Sequence, residues 1–550
     1  MRRRTLYKFS VAVILNFLAI PLFAQTNIKQ TDTPQVQTPI GYSQDWSSRH
    51  LLMPGLQNQQ ASSSSAHDPR YIYNLLRHRS AVENTHSIAP YRHGRRIDWA
   101  VSLENGYVPQ DQFPAKYQFN IGAADCNTDY IVFGLTITSG TQANLVGINN
   151  LYTEASPPCN NGSPSVAFAY NTVTQTGGQI STSPVLSIDG TKVAFIESTR
   201  TASYFHVLVL PNPIPTPPSQ VGTVLSPQSP TSCAAPTIPG CMTTVLIENG
   251  ATNSNSSPWV DYSADTSYVG ADNGLLYKIS PVFGGGTPAL VTNADWPVTV
   301  SSPSQSNTVL TAPIEDTNSG RLFLGDGYGY LYAVNLNHPA GTYSALVTTG
   351  WVGHGPGTGV VDPPIVVTDP ASPTTDQVFV STGCSIVVGI GGAVSQLPAN
   401  FTSSTTLTTS NTVDLGSGSG DGDCTSGNVH AGEFDNAFWV NGSASGHLIS
   451  CGFVSGTQGN PLVPSNPQMY FFPFVSNIIS SVGSLTFVVN HTVGDECSPL
   501  TEFYDGTTDR LFFGVGSTNG FLESSTITSS LSTPLCMIVP TPGCVTVPAT

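Results

Sequence analysis

The sequence predicts an all-β chain: a β-propeller of about seven blades (six to eight), preceded by a mostly irregular N-terminal leader. Three observations predict it. First, one phrase recurs, in which an apolar strand, often opened by proline, runs into an Asp/Gly turn and then a Val/Phe/Leu-rich strand. It reads Pro184–Phe195, again Pro258–Gly270, and returns from Pro313, Pro363 and Pro499. Second, Gly (52) and Pro (43) are frequent among the 550 residues while only 9% are charged, which suits short strands between turns. Third, no stretch of eleven or more residues after Asp98 holds a helical period. Strands that cannot bury their own faces must stack on neighbouring copies, so the repeat is radial or linear.

Residues 1–24 read as a signal peptide: Arg2, Arg3, Arg4 and Lys8, then the apolar run Val11–Ile20, then Leu22-Phe23-Ala24 as a cleavage site. Arg3–Lys8 also resembles a twin-arginine export signal. A secreted or periplasmic location follows, with no membrane span once the signal is removed. Residues 25–97 are rich in Gln, Thr, Ser and His and read as a linker or strap, with one short amphipathic helix over Asp68–His78. Residues 98–550 form the propeller, in modules at about 113–152, 164–247, 258–282, 311–336, 362–389, 433–474 and 497–527. The prolines at 184, 258, 313 and 363 lie 50 to 74 residues apart. That exceeds a blade of about 40–50 residues, so several blades carry insertions, 211–240 and 399–428 among them. Trp296 and Trp351 fall between modules, where aromatics fill the wedge between blades. Cys536–Thr546 repeats Cys233–Thr243 but the chain then stops, so a strand such as 98–104 or 115–120 is expected to complete the last blade; a truncated reading frame is the alternative.

All ten cysteines follow the signal, an even number suited to an oxidising compartment. Cys233/Cys241 and Cys536/Cys544 each enclose seven residues rich in Pro and ending in Gly, and read as short disulfide loops. Chain order gives Cys126 with Cys159, Cys384 with Cys424 and Cys451 with Cys497. There is no Cys-x-x-Cys, which argues against zinc. From residue 101 onward six basic residues face 29 acidic ones, whereas residues 25–100 hold eight basic and five acidic. An anionic body argues against nucleic acid and anionic lipid.

Two copies, Tyr268–Ile279 and Leu322–Val334, resemble the repeat of quinoprotein-like (PQQ-like) β-propellers: a strand, an Asp-Gly-type turn, then a strand ending before Asn or Asp. Pro184–Phe195 resembles the hairpin of TolB-type repeats. Across its length the chain is similar to large secreted bacterial propeller proteins without an assigned activity. The resemblance implies the fold and leaves the activity open, since propellers host enzymes, sensors and scaffolds alike. Quinoprotein enzymes bind pyrroloquinoline quinone with Ca²⁺. Three quinone carboxylates want Arg or Lys, and six basic residues in the body argue against that cofactor.

No cofactor is expected. Calcium is the one ion with ligands to hand, at Asp421 and Asp423 in the Gly-rich loop 416–424. His354 lies in a Gly-rich loop without the Lys of a phosphate loop. His430 has Glu433 and Asp435 three and five residues on, a spacing open to acid–base chemistry or to plain loop hydrogen bonding. The expected function is recognition by a monomeric, non-catalytic module. Tyr328, Tyr330 and Trp351 would stack on a glycan, or grip a peptide or envelope partner, with His354, His430 and Asp435 nearby. The alternative is an enzyme on the funnel, either a quinoprotein-type oxidoreductase or a metal-dependent lyase or hydrolase.

Overall fold

The computed structural model describes residues 41–54, 68–83, 103, 106–109, 112–119, 125–137, 142–151, 164–211, 240–247, 250–251, 253–302, 308–337, 345–347, 352–353, 359–369, 375–385, 387, 391–416, 428–453, 467–488, 497–504, 509–515, 520–527, 535–536 and 545–547. They are mostly β. Seven sheets follow one another along the chain, each built on a meander of short antiparallel strands, consistent with propeller blades. The third runs Trp259–Asp261, Thr266–Gly270, Leu275–Ile279, Val298–Thr299. The fourth runs Ile314–Asp316, Arg321–Gly325, Leu331–Asn335, Ala345–Val347. The proline phrases of the sequence are these first hairpins: each proline removes a ladder donor just before a first strand, and the Asp/Gly turn follows.

First strands of consecutive sheets lie side by side. Ala115–Gln118 adjoins Val185–Leu186, Ile314–Asp316 lies between Trp259–Asp261 and Ile365–Val367, and Glu433–Phe434 adjoins Thr501–Tyr504. In the first, third, fourth and seventh sheets a side-chain acceptor ahead of the first hairpin ties it to a glycine at or next to the end of the following strand. Ser256 Oγ accepts from Gly270 N–H at 2.9 Å, Thr311 Oγ1 from Gly325 N–H at 2.9 Å and Ser498 Oγ from Gly514 N–H at 2.8 Å. In the first sheet Gln112 Oε1 does the same for Gly134 at 2.8 Å.

Residues 41–54 and 68–83 of the leader are part of this body. Tyr42–Gln44 pairs with Ala115–Gln118 at the edge of the first sheet, and Leu51–Leu52 adds a parallel strand beside Val366–Val367 in the fifth. Neighbouring strand residues face opposite ways. Leu51 therefore joins the apolar cluster of the second to fifth sheets, and Leu52 the cluster of the fifth and sixth. Helix α1, Pro69–Glu83, is longer than the spacing predicts. Asp68 accepts from Arg70 N–H at 2.8 Å and Pro69 opens the helix, the usual chemistry of a helix start. Ile72, Asn74 and His78 are buried. Burying Leu51, Leu52 and Ile72 stabilises the leader by roughly 5–9 kcal/mol as an upper bound.

Three sequence expectations are corrected. Ser165–Tyr170, assigned above to the second module, is the outer strand of the first sheet, beside Leu145–Asn149. Residues 115–118 sit within the first sheet, and the described strands of the seventh all come from residues beyond 500, so that expected completion of the last blade is not what 115–118 provides. Trp296 packs inside the third sheet, 5.5 Å from the Tyr268 ring, because cross-strand aromatic contact buries it there.

Of the five expected disulfides, the structure joins Cys451 to Cys497. Cys126, Cys241 and Cys384 are also disulfide-bonded. Their expected partners Cys159, Cys233 and Cys424 lie outside the described residues, and so does Cys544, the expected partner of Cys536. Cys536 itself ends the short strand Leu535–Cys536, which pairs with Glu523 and Ser524 in the seventh sheet.

Candidate functional site

The most concentrated chemistry lies where the leader crosses the first strands. Trp46 Nε1 donates to Pro258 O at 3.1 Å. Arg70 donates to Val260 O at 2.7 Å, grips Asp68 at 2.8 Å and lies 3.7 Å above the Trp259 ring. His50 Nδ1 lies 3.2 Å from Pro364 O. Asn74 pins the turn, accepting from Met53 N–H at 2.8 Å and donating to Leu51 O at 3.0 Å. Arg49 donates to Thr501 Oγ1, and Arg77 to Glu502 and to Asn436 Oδ1. The leader thus meets the third, fifth and seventh sheets, and α2, Asn436–Asn441, beside the sixth.

Arg77 of the weakly cationic leader reaches a carboxyl of the anionic body, that of Glu502. Burial pushes up the carboxyls of Asp45 and Glu433, and burial with Asp261 nearby takes Glu315 to about 7. Burial and a hydrogen bond to Asp509 push Glu502 up to about 10, and burial also raises Asp509. An ion pair with Arg77 and a raised carboxyl are compatible here. Arg77 opposes that rise without cancelling it.

Of the residues singled out from the sequence, Trp351, His354, Asp421 and Asp423 lie outside the described residues. Tyr328 and Tyr330 are brought together, with half-buried rings 5.9 Å apart at an interplanar angle of 13°. They are carried by a turn wound on Asp326. Its Oδ1 accepts from the N–H groups of Tyr328, Gly329 and Tyr330 at 3.1, 2.9 and 2.9 Å. Its Oδ2 accepts from Ser301 Oγ at 2.8 Å and Tyr332 OH at 2.7 Å. With five donors on one buried carboxyl, the turn is rigid.

His430 and Asp435 do not converge. His430 Nδ1 lies 3.1 Å from Asp362 Oδ2, which also accepts from Ala431 N–H at 2.7 Å. Burial would raise Asp362, but His430 and that N–H hold it below the usual carboxylate range. Asp435 instead caps α2 through Phe438 N–H at 3.0 Å and meets His447 Nδ1 at 2.7 Å. Sequence reasoning missed Arg77, Glu502, Asp509 and Asp362 as partners. The charge contrast between leader and body was the available signal. Among the described residues no group of three His, Cys, Asp or Glu has a metal-holding arrangement, and no helix is long and apolar enough to cross a membrane.

No family model matches the chain, and no curated protein does. Among solved structures, one similar chain belongs to "Crystal Structure of Mitotic Checkpoint Complex", at 10% identity over 79% of this chain and 96% of that one, with a TM-score of 0.34.

Proposed function

We propose that the seven sheets close into a propeller of PQQ-like repeat type, whose axis is occupied by the chain's own leader, and that the protein works after export as a non-catalytic recognition module. The observation that carries this reading is the Tyr328–Tyr330 pair. Two near-parallel, half-buried phenol rings on a turn clamped by Asp326 form a pre-organised stacking surface, at little entropic cost on binding. Saccharide rings, with apolar faces and hydroxyl rims, suit such a surface. The enzyme alternatives need the funnel, and there the first strands of the third, fifth and seventh sheets already contact Trp46, Arg70, His50, Arg49 and Arg77.

Affinity electrophoresis of the mature protein through a panel of soluble polysaccharides tests the reading. Retardation by one of them, abolished in Tyr328→Ala/Tyr330→Ala with the melting temperature retained, is the expected result. A protein retarded by none of the panel overturns glycan recognition. Undiminished retardation of the double variant moves the site elsewhere.

A further inference from the structure

In the second sheet one histidine has both ring nitrogens engaged, one by a buried carboxyl and the other by the hydroxyl of an exposed residue. His206 lies in the strand Ser203–Val209, between Lys192–Ser198 and the edge strand Cys241–Ile247. Its Nε2 is 2.9 Å from Glu197 Oε2, and its Nδ1 is 3.0 Å from Thr244 Oγ1. His206 and Glu197 have no solvent exposure, whereas Thr244, opposite His206 in the register, is exposed. The Phe195 ring stacks on the imidazole with centroids 5.1 Å apart, and the Tyr204 ring does so at 6.3 Å.

The surroundings of Glu197 decide which nitrogen carries the hydrogen. Its oxygens accept from Thr174 N–H at 3.0 and 3.2 Å, from Thr174 Oγ1 at 2.5 Å and from Gln175 N–H at 3.4 Å. Burial would raise this carboxyl, but His206 and Thr174 hold it below the usual carboxylate range. A carboxylate can only accept, so the hydrogen sits on Nε2, and in the neutral ring Nδ1 presents a lone pair. Thr244 O–H donates to that lone pair. Hydroxyl, imidazole and carboxylate, linked in this order, are the arrangement that activates an oxygen nucleophile.

We propose that Thr244 is a covalent acceptor for acyl groups carried by activated apolar esters. Its oxygen attacks the acyl carbon while its proton passes to His206 Nδ1. The bond from that carbon to the leaving oxygen breaks, and the leaving oxygen takes the proton from Nδ1. Thr244 keeps the acyl group as an ester, and the freed alcohol or phenol departs. Leu246 is exposed, shares the Thr244 face and stands opposite Tyr204, so the two offer the acyl chain an apolar ledge. Among the described residues Cys241–Ile247 has no strand on its outer side. Alternate N–H groups of an edge strand point outward, so one within a residue of Thr244 is placed to donate to the oxyanion. The reaction stops at the ester. Hydrolysis would need a water on the imidazole, and His206 has no exposed surface to receive one. The second sheet thus carries a modification site, separate from the Tyr328–Tyr330 surface and without turnover.

The test uses p-nitrophenyl acetate on the full chain in mildly alkaline buffer, with peptide mapping by mass spectrometry. Thr402 is the internal reference, an exposed residue whose hydroxyl meets Ser404 Oγ at 2.8 Å rather than a histidine. The expected result is an acetyl ester on Thr244, formed about 10²–10⁴-fold faster than on Thr402. Alkaline hydroxylamine should remove it while leaving acetylated lysines intact. Thr244→Ser should label at least as fast, and Thr244→Val should lose the matching burst of nitrophenol. His206→Gln, with its melting temperature retained, should label residue 244 no faster than Thr402. If that variant does not fold, the ratio of Thr244 to Thr402 in the wild type decides. Three results would each overturn the acceptor site: Thr244 labelled no faster than Thr402; a folded His206→Gln chain labelled as fast as the wild type; or steady nitrophenol release, lost in Thr244→Val, with Thr244 found unacylated.

Discussion

A methyl group placed on Gly270 would stand 2.7 Å from Cβ of Leu310, a residue with no solvent exposure in the connection that leads into the fourth sheet. Glycine is there because the next sheet's lead-in occupies the space a side chain would need. The same glycine donates its N–H to Ser256 Oγ at 2.9 Å, and its carbonyl accepts from Ser254 Oγ at 2.7 Å. One residue thus closes its own hairpin and sets the approach of the following sheet. Gly325 repeats the arrangement with Thr311 and Val360.

Gly270→Ala should therefore destabilise the protein by about 1–3 kcal/mol through overpacking against a side chain with nowhere to go. Gly285→Ala, whose added methyl would meet nothing within 4 Å, should leave stability unchanged or slightly raised. Urea unfolding midpoints of the two variants, measured side by side, check the contrast. Equal midpoints would remove the packing argument.

The hydroxyl half of the relationship has its own test. Thr311→Val keeps shape and volume but leaves the N–H of Gly325 without its acceptor, which should cost about 1–3 kcal/mol. Thr311→Ser retains the bond and should cost less. A Val variant as stable as the Ser variant would show that the N–H finds another partner.

Arg70 holds the leader to the third sheet through Asp68, Val260 O and the face of Trp259. Arg70→Met should preserve most of the apolar stem yet leave Asp68 without its cation and Val260 O without its donor. Because the Asp68 side chain is 27% exposed, the expected loss is at the low end for a broken pair, about 2–3 kcal/mol. Arg70→Lys should recover only part of it, since a point charge cannot make the two-pronged contact. Chemical denaturation of the three proteins gives the order, and a lysine variant matching the wild type would contradict it.

The Cys451–Cys497 bond closes a span of 46 residues between the sixth and seventh sheets. In the chain-entropy account, Cys451→Ser/Cys497→Ser should lower stability by about 4 kcal/mol, most of it through a freer unfolded chain. Unfolding of the double variant without reductant measures it. A change near zero would mean that the flanking sheets already restrain the unfolded chain.

The first hairpins were legible because proline and the Asp/Gly turn act locally. Pro258, Pro313 and Pro363 each stand one or two residues before a first strand. The ties from Ser256 to Gly270 and from Thr311 to Gly325, each spanning 14 positions, were not read there. The leader's place was not legible. A two-residue parallel strand such as Leu51–Leu52 has no periodicity to read. The partners that matter are far apart in sequence: Arg77 and Glu502 are separated by 425 positions, and His430 found Asp362 at 68 rather than Glu433 or Asp435 close by. The aromatic pair could be nominated as a residue type, but its clamp could not, because Asp326 collects Ser301 from the preceding sheet's outer end.

His447 gives a pH signature that one substitution isolates. Its hydrogen bond to Asp435, partly offset by burial, holds its imidazole above the ordinary 6.5, with Nδ1 2.7 Å from the carboxylate. A histidine raised in the folded state adds stability that is fully present below its unfolded value and is lost as pH rises through the folded one. The side chain is 37% exposed, so solvent screens the pair and the effect should be modest. An NMR titration of the full chain should place His447 above the unperturbed histidine range, and Asp435→Asn should bring it back. Asp435 also caps α2 through Phe438 N–H, so Asn, which caps as well, separates charge from capping. If the Asn variant titrates like the wild type, the carboxylate charge is not what raises His447.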